Sequence, residues 1–347
     1  MHPDLKKLLD TYPLSPRWSS PELFLEEVKI EKMRISCAGL VSQEASGIAV
    51  TGSAAARSEV PLIRSYFELI ERTSIVEAEE SGLQMIPLRD IAGKPKEEVP
   101  RSIVFPKSPN PESWVYARSN GVAAHIQWHL ACRSAAEEMI ERDHLLRSWY
   151  GQIRPEPIPR SATPAHPELE QSYEFMGYHF AEPPPKSDTG FALMTSVVGV
   201  FGFPRRPGIP MIYGFAARST ETEALNAADR ECVQRLSFLW GEELPAALPE
   251  FAPTGDYHQE AFLAPDGSAR LRDWLRGDHQ RYIEPQGAKA GLLPRTIFFV
   301  DLTPPHLCGK LFVVKAVSQA YLPLTFGYCQ VGAMAGLPRE LLIHPVA

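Results

Sequence analysis

A mixed α+β fold is what this sequence predicts, on three observations. Apolar, β-branched runs at 191–200, 211–216, 296–301 and 311–317 have strand character. Segments near 60–80, 130–150 and 220–240 repeat apolar residues at intervals of three and four, as helices do. The two kinds of segment do not alternate in the regular β-α order of a doubly wound sheet, so strands and helices are expected in a mixed arrangement.

Length and composition bound the rest. At 347 residues with 44% hydrophobic content, the chain can build a substantial core. Its formal net charge is −7, with acidic and basic residues mixed along the length, which argues against nucleic acid or an anionic membrane as partner. No stretch reaches the roughly 18 apolar residues of a membrane span, and the first residues lack the apolar core of a signal peptide. The five cysteines stand singly, outside any metal-binding spacing, and are expected to be reduced core residues of a cytoplasmic protein. The 33 prolines cluster at 154–167 and at Pro183-Pro184-Pro185, predicting extended connectors there.

The most informative feature is a recurring acidic pattern. Ser65-Tyr66-Phe67-Glu68-Leu69-Ile70-Glu71-Arg72 contains E-x-x-E-R, and so does Glu138-Met139-Ile140-Glu141-Arg142, seventy positions on. Residues at i, i+3 and i+4 share one face of a helix, so each segment sets two carboxylates and an arginine side by side. In the first helix Ile63, Tyr66, Phe67 and Ile70 are expected to form the buried stripe, with Glu71 at its border; in the second, Ala135, Ala136, Met139 and Ile140 repeat that register. Neighbouring carboxylates at a core margin repel one another and call for cations. Two such helices face to face would offer a four-carboxylate cage suited to magnesium, which takes oxygen ligands and shares its shell with nucleotide phosphates. For one isolated E-x-x-E-R, ordinary surface charge is the plainer reading. Recurrence shifts the balance, as does a third acidic helix in which Ala224, Leu225, Ala228 and Cys232 form the inner stripe with Glu231 and Gln234 beside it.

These motifs resemble the YcaO family. Ser65–Arg72 matches its S-x-x-E-x-x-E-R signature, Ser119-Asn120-Gly121-Val122-Ala123-Ala124 resembles its S-N-G-x-A-A turn, and Glu138–Asp143 follows at the family's interval. Glu231-Cys232-Val233-Gln234 resembles its E-x-x-Q helix, and Leu311–Gly327, with Lys315, its late strand and loop. The resemblance implies stacked sheets flanked by helices around an ATP/Mg2+ cavity, with residues 1–49 integrated into the core and 50–347 forming the catalytic domain. It implies Glu68, Glu71, Glu138 and Glu141 as metal ligands, and Arg72, Ser119, Asn120, Arg142, Glu231, Gln234 and Lys315 as nucleotide-binding residues.

The chain also departs from the family. Thr51-Gly52-Ser53 stands where the family has a G-K-G turn with a phosphate-facing lysine, and Ile126 and Leu130 stand where members often carry Asn and Glu. The end, Ile343-His344-Pro345-Val346-Ala347, keeps only the central proline of the P-x-P-x-P tail found in azoline-forming members.

What the resemblance implies is ATP-dependent O-phosphorylation of a backbone amide, followed by closure of Cys, Ser or Thr onto the carbonyl to give an azoline in a ribosomally made precursor peptide. Backbone thioamidation with a sulfur donor, and a nucleotide-binding scaffold without activity, remain open as alternatives. A leader-peptide-binding, E1-like partner is expected, and a homodimer is left open. No general base is singled out among His125, His129, His144 and the terminal carboxylate.

Overall fold

The computed structural model describes residues 1–180, 195–278 and 296–346. In chain order the elements begin with α1 (Pro3–Thr11), β1 (Glu22–Ile30), β2 (Met33–Gln43), β3 (Ala49–Ala56), α2 (Leu62–Glu80), β4 (Met85–Arg89), β5 (Pro95–Pro100) and α3 (Arg101–Val104). They continue through β6 (Trp114–Tyr116), β7 (Val122–His125), α4 (Trp128–Trp149), β8 (Glu156–Ile158), β9 (Tyr173–His179), β10 (Ser196–Pro204), β11 (Ile212–Arg218) and α5 (Glu221–Leu239). The last are α6 (Gly255–Ala261), α7 (Pro265–Arg276), β12 (Phe298–Asp301), β13 (Phe312–Val317), β14 (Thr325–Gly327) and α8 (Arg339–Leu342). The mixed α+β class is therefore observed.

The chain divides into two compact units. The first comprises Met1–Phe105, Arg118–Ala136 and Ile297–Val317. It contains an antiparallel sheet in the order β1-β2-β3 and a second sheet in the order β5-β4-β12-β13-β7. Leu40 of β2, Leu62, Tyr66, Leu69 and Ile70 of α2, Val300 of β12 and Val313 of β13 meet in one apolar core.

Strand β3 reads Ala-Val-Thr-Gly-Ser-Ala-Ala-Ala, and its small side chains let α2 approach closely. Gly52 is the point of contact: a Cβ there would lie 2.1 Å from the Ser65 carbonyl oxygen and 2.6 Å from the Leu69 nitrogen. This contact explains why α2 is rotated from the expected stripe. Ile63 is 61% exposed, while Leu62, Ser65 and Leu69 turn inward with Tyr66 and Ile70. Thr51-Gly52-Ser53, expected as a turn, lies inside β3.

The second unit comprises Pro106–Ala117, Glu137–Thr296 and Ser318–Ala347. Its main sheet runs β11-β10-β9-β8, antiparallel throughout, and β14 pairs with β6 in a small ribbon. Helix α5 lies against β11 and β10, burying Ala224, Leu225, Ala228 and Cys232 as the spacing predicts. Gly214 repeats the device of Gly52, since a Cβ there would stand 2.3 Å from the Ala228 carbonyl oxygen and 2.4 Å from the Cys232 nitrogen. An aromatic cluster fills the unit, with Phe180 stacked on Trp274 at 5.1 Å between centroids and Trp149 edge-on to Trp274 at 5.5 Å.

The end of the chain is threaded into this second unit. Leu341–Val346 are buried. Trp149 Nε1 donates to the Leu341 carbonyl at 2.8 Å. His258 Nε2 accepts the Gly327 amide at 2.9 Å, which leaves Nδ1 as the nitrogen that donates to the His344 carbonyl at 3.1 Å. Burial lowers both imidazoles, His258 to about 2 and His344 to about 4, so both are neutral anchors.

Several sequence expectations are adjusted. The run expected at 191–200 appears as β10 from Ser196, and residues 191–194, like Pro183–Pro185, lie outside the described residues. The proline-rich stretch 154–167 contains β8 but is not extended throughout: the amides of Ala162 and Thr163 turn back onto the Pro159 carbonyl at 2.9 and 3.2 Å. All five cysteines are free, but Cys308 is exposed rather than in a core, being at the loop between β12 and β13.

Gly214→Ala should lower stability to chemical denaturation at or above the upper end of the roughly 1–3 kcal/mol typical of overpacking. Gly39→Ala is the control, because a Cβ there meets only Phe24 Cβ at an ordinary 3.8 Å. Equal stability of the two variants would contradict the close strand–helix contact.

Candidate functional site

In the first unit the acidic face of α2 is tied to two strands. Glu68 Oε2 accepts the amide of Ser53 at 2.7 Å, and its Oε1 pairs with Arg72 at 2.5 Å. Arg72 also donates to Thr51 Oγ1 at 2.8 Å. Glu71 Oε1 accepts the amide of Ala124, on β7, at 2.7 Å. Desolvation raises the Glu68 carboxyl above its ordinary range, against the opposing pull of Arg72 and of the Ser53 amide.

Strand β7 is entered through the Ser119-Asn120-Gly121 turn, where the Val122 amide donates to the Ser119 carbonyl at 3.1 Å. Ser119 is exposed. Asn120 Oδ1 is buried with no hydrogen-bond partner among the described residues. Lys315, on the neighbouring β13, donates its ammonium to the carbonyls of Arg118 at 3.0 Å and Asn120 at 2.9 Å. Ile126 is 53% exposed.

In the second unit α4 supplies Glu138 and Glu141, and Arg142 bridges them, 3.9 Å from Glu138 and 3.5 Å from Glu141. Glu141 is buried, and its Oε1 makes no hydrogen bond among the described residues. Burial works against the charge of Arg142, but Glu141, Glu138 and Glu231 together raise its pKa. Glu231, on α5, accepts the amide of Phe215 at 3.2 Å. It remains open to solvent, yet the protein packed around it, and next the carboxylate of Glu141, push its carboxyl up to about 7. Gln234 is half-buried beside it.

The two units therefore use one device. Each places a helical glutamate over a strand glycine, and the carboxylate accepts the amide of the next residue: Glu68 with Gly52 and Ser53, Glu231 with Gly214 and Phe215. Matching the helices at this contact sets Gln234 in the place of Glu71 and Arg235 in the place of Arg72. Arg235 was legible as the end of an E-x-x-Q-R pattern but is absent from the expected set. It stacks over Tyr213, 4.1 Å from the ring centre, and donates to Gln259 at 3.3 Å. Glu137 and Arg218 are a further pair missed by sequence reasoning, 3.5 Å apart, with Arg218 helping to offset the rise at Glu231. Only the fold, by ending β11 beside α4, could reveal them.

Among the described residues no three His, Cys, Asp or Glu side chains gather as a ready metal cage. Magnesium usually takes one or two protein carboxylates and completes its shell with water and phosphate, so this donor set still suits it. The histidines near the second motif have local roles: His144 Nδ1 meets the Phe180 carbonyl at 2.9 Å, and His125 Nδ1 accepts the Gln127 amide at 3.1 Å. Ala347, with the terminal carboxylate, lies outside the described residues.

The residues fit a metal–nucleotide group on two independent grounds. Carboxylates raised by desolvation and mutual repulsion are stabilised by a divalent cation. The buried Asn120 Oδ1 and Glu141 Oε1 make no hydrogen bond among the described residues, and such a group and its water would supply one.

Comparison with known proteins places the chain. Solved structures of similar fold include YcaO from Methanopyrus kandleri bound with AMPPCP and Mg2+, at 19% identity and TM-score 0.54, covering 85% of this chain and 84% of that one. A chain of the E. coli microcin synthetase McbBCD complex with pro-MccB17 bound matches at 13% identity and TM-score 0.54, covering 85% and 87%. A heterocyclase in complex with substrate and cofactor matches at 14% identity and TM-score 0.52, covering 90% of this chain and 52% of that one. A search of curated proteins finds no match. The sequence model of the YcaO cyclodehydratases matches residues 76–318, a span that includes Glu138, Glu141 and Glu231 and begins just after Glu68, Glu71 and Arg72. On that match the chain belongs to the YcaO cyclodehydratase family, a family that binds ATP and Mg2+.

Proposed function

We propose that this chain activates backbone amides of a peptide by O-phosphorylation, and that its reaction is cyclodehydration of Cys, Ser or Thr to azolines in a ribosomally synthesised precursor. The observation that carries the reading is the crowded acidic set: burial, and next the carboxylate of Glu141, push Glu231 up to about 7 while Arg142 lies 3.5 Å from Glu141, on helices that repeat the pattern of Glu68 and Glu71. Family membership supplies ATP and Mg2+ as the groups it accommodates.

When bound, ATP with Mg2+ supplies a phosphoryl group that makes the amide oxygen expellable. The protein's part is positioning and electrostatics. Glu68, Glu71, Glu138 and Glu141 would hold the cations. Because Glu68 and Glu71 already rest on strand amides and Glu231 on another, their oxygens are fixed before any ligand arrives. Arg72 and Arg142 orient those carboxylates, and Ser119, Asn120, Glu231 and Gln234 would line the nucleotide. Complexes formed by the similar proteins, one with a bound pro-peptide, support a precursor peptide as substrate and a leader-binding partner protein beside the chain.

Incubation with ATP, Mg2+, partner and precursor should remove the mass of one water per ring, and Glu141→Gln should slow this on the order of 100-fold. Exchange of oxygen for sulfur would select thioamidation instead. Nucleotide binding without any turnover would select the scaffold reading.

A pH dependence follows from Glu231. Its carboxyl, at about 7 without a cation, must lose its proton to face one. Mg2+ affinity should therefore rise as pH increases through about 7, with protons released on binding in calorimetry, and Glu231→Gln should flatten that rise. Equal slopes in both proteins would count against the assignment.

A further inference from the structure

The geometry points to Lys315 as a positioning residue that holds the Ser119–Asn120 turn for the nucleotide, rather than as a phosphate contact. The inference rests on the reading of Ser119 and Asn120 as nucleotide-facing and deepens it.

Lys315 is only 8% exposed, an unusual setting for an ammonium, which is stabilised in a protein interior only by close acceptors. Two of its three donors go to main-chain carbonyls, those of Arg118 and Asn120, at 3.0 and 2.9 Å. These carbonyls belong to the residues on either side of Ser119, so one charge clamps the peptide planes that flank it. The same turn is fastened from its other end. Lys315 pairs in register with Val122, the Ala316 amide donates to the Gly121 carbonyl at 2.8 Å, and Glu71 accepts the Ala124 amide.

A clamp of this kind would be unnecessary for a turn that did nothing more than connect. What it holds in place is the Asn120 side chain, whose Oδ1 is buried with no hydrogen-bond partner among the described residues. A desolvated acceptor is costly unless a donor meets it, and the hydroxyl and amino groups of a nucleoside, or water on its metal, are such donors. Lys315 thus acts through Asn120, with its own ammonium directed at the main chain.

A double-mutant cycle separates this role from its rivals, with binding of AMPPCP and Mg2+ measured by calorimetry. Lys315→Met should weaken binding about ten-fold in the wild-type chain and by less than about two-fold in Asn120→Ala, because the residue it positions is already gone. Lys315→Arg, whose guanidinium can donate to both carbonyls, should restore most of the loss. In turnover the change should fall on KM for ATP with kcat held. Should Lys315→Met not fold, Lys315→Gln, with an amide donor for one carbonyl, carries the same cycle. Full additivity of the two substitutions would assign Lys315 to the nucleotide itself, and unchanged affinity with lowered stability would make it a structural tie; either result overturns the inference. If the wild-type chain does not bind AMPPCP, the underlying reading falls and this inference with it.

Discussion

The close approach of a helix to a strand glycine is the constraint on which the rest of the molecule depends. At Gly52 and again at Gly214 there is no room for a Cβ, and the helical turn pressed there carries a glutamate whose carboxylate takes the next strand amide. That contact fixes the rotation of α2 and α5, and with it which side chains are buried and which carboxylates are presented. It also removes freedom from the acidic groups before a ligand is present, which is how a site stabilises developing charge without reorganising.

Electrostatics then turns a packing motif into a demand for cations. Glu231 is raised by desolvation and by Glu141, while Arg142 is raised by three carboxylates around it. Each arginine answers part of the negative charge, and the buried Glu141 Oε1, 3.5 Å from Arg142 Nε, makes no hydrogen bond among the described residues. Carboxylates perturbed by burial and by one another are characteristic of functional sites, where a ligand rather than stability accounts for them.

Much of this was legible in the sequence because it rests on local periodicity. The three acidic helices, the inner stripe of Ala224, Leu225, Ala228 and Cys232, and strands β11, β12 and β13 all follow from spacing. The sheet β1-β2-β3 was not found, for a physical reason: β1 buries only Ile30 and shows no alternation, and β3 is made of small residues with little strand character of their own. The rotation of α2 that exposes Ile63 depends on Gly52, a contact no periodicity encodes. Arg235 could have been read from E-x-x-Q-R, whereas Glu137 with Arg218, and the grip of Lys315 on the Ser119–Asn120 turn, exist only once the strands are paired.

The central claim is that acidic side chains of this chain grip a metal-bound triphosphate, and locating the metal tests it most directly. In crystals grown with AMPPCP and Mn2+ in place of Mg2+, anomalous scattering should place manganese about 2.1 Å from oxygens of Glu68, Glu71, Glu138 or Glu141. Manganese found remote from all four glutamates, with nucleotide bound, would contradict the account.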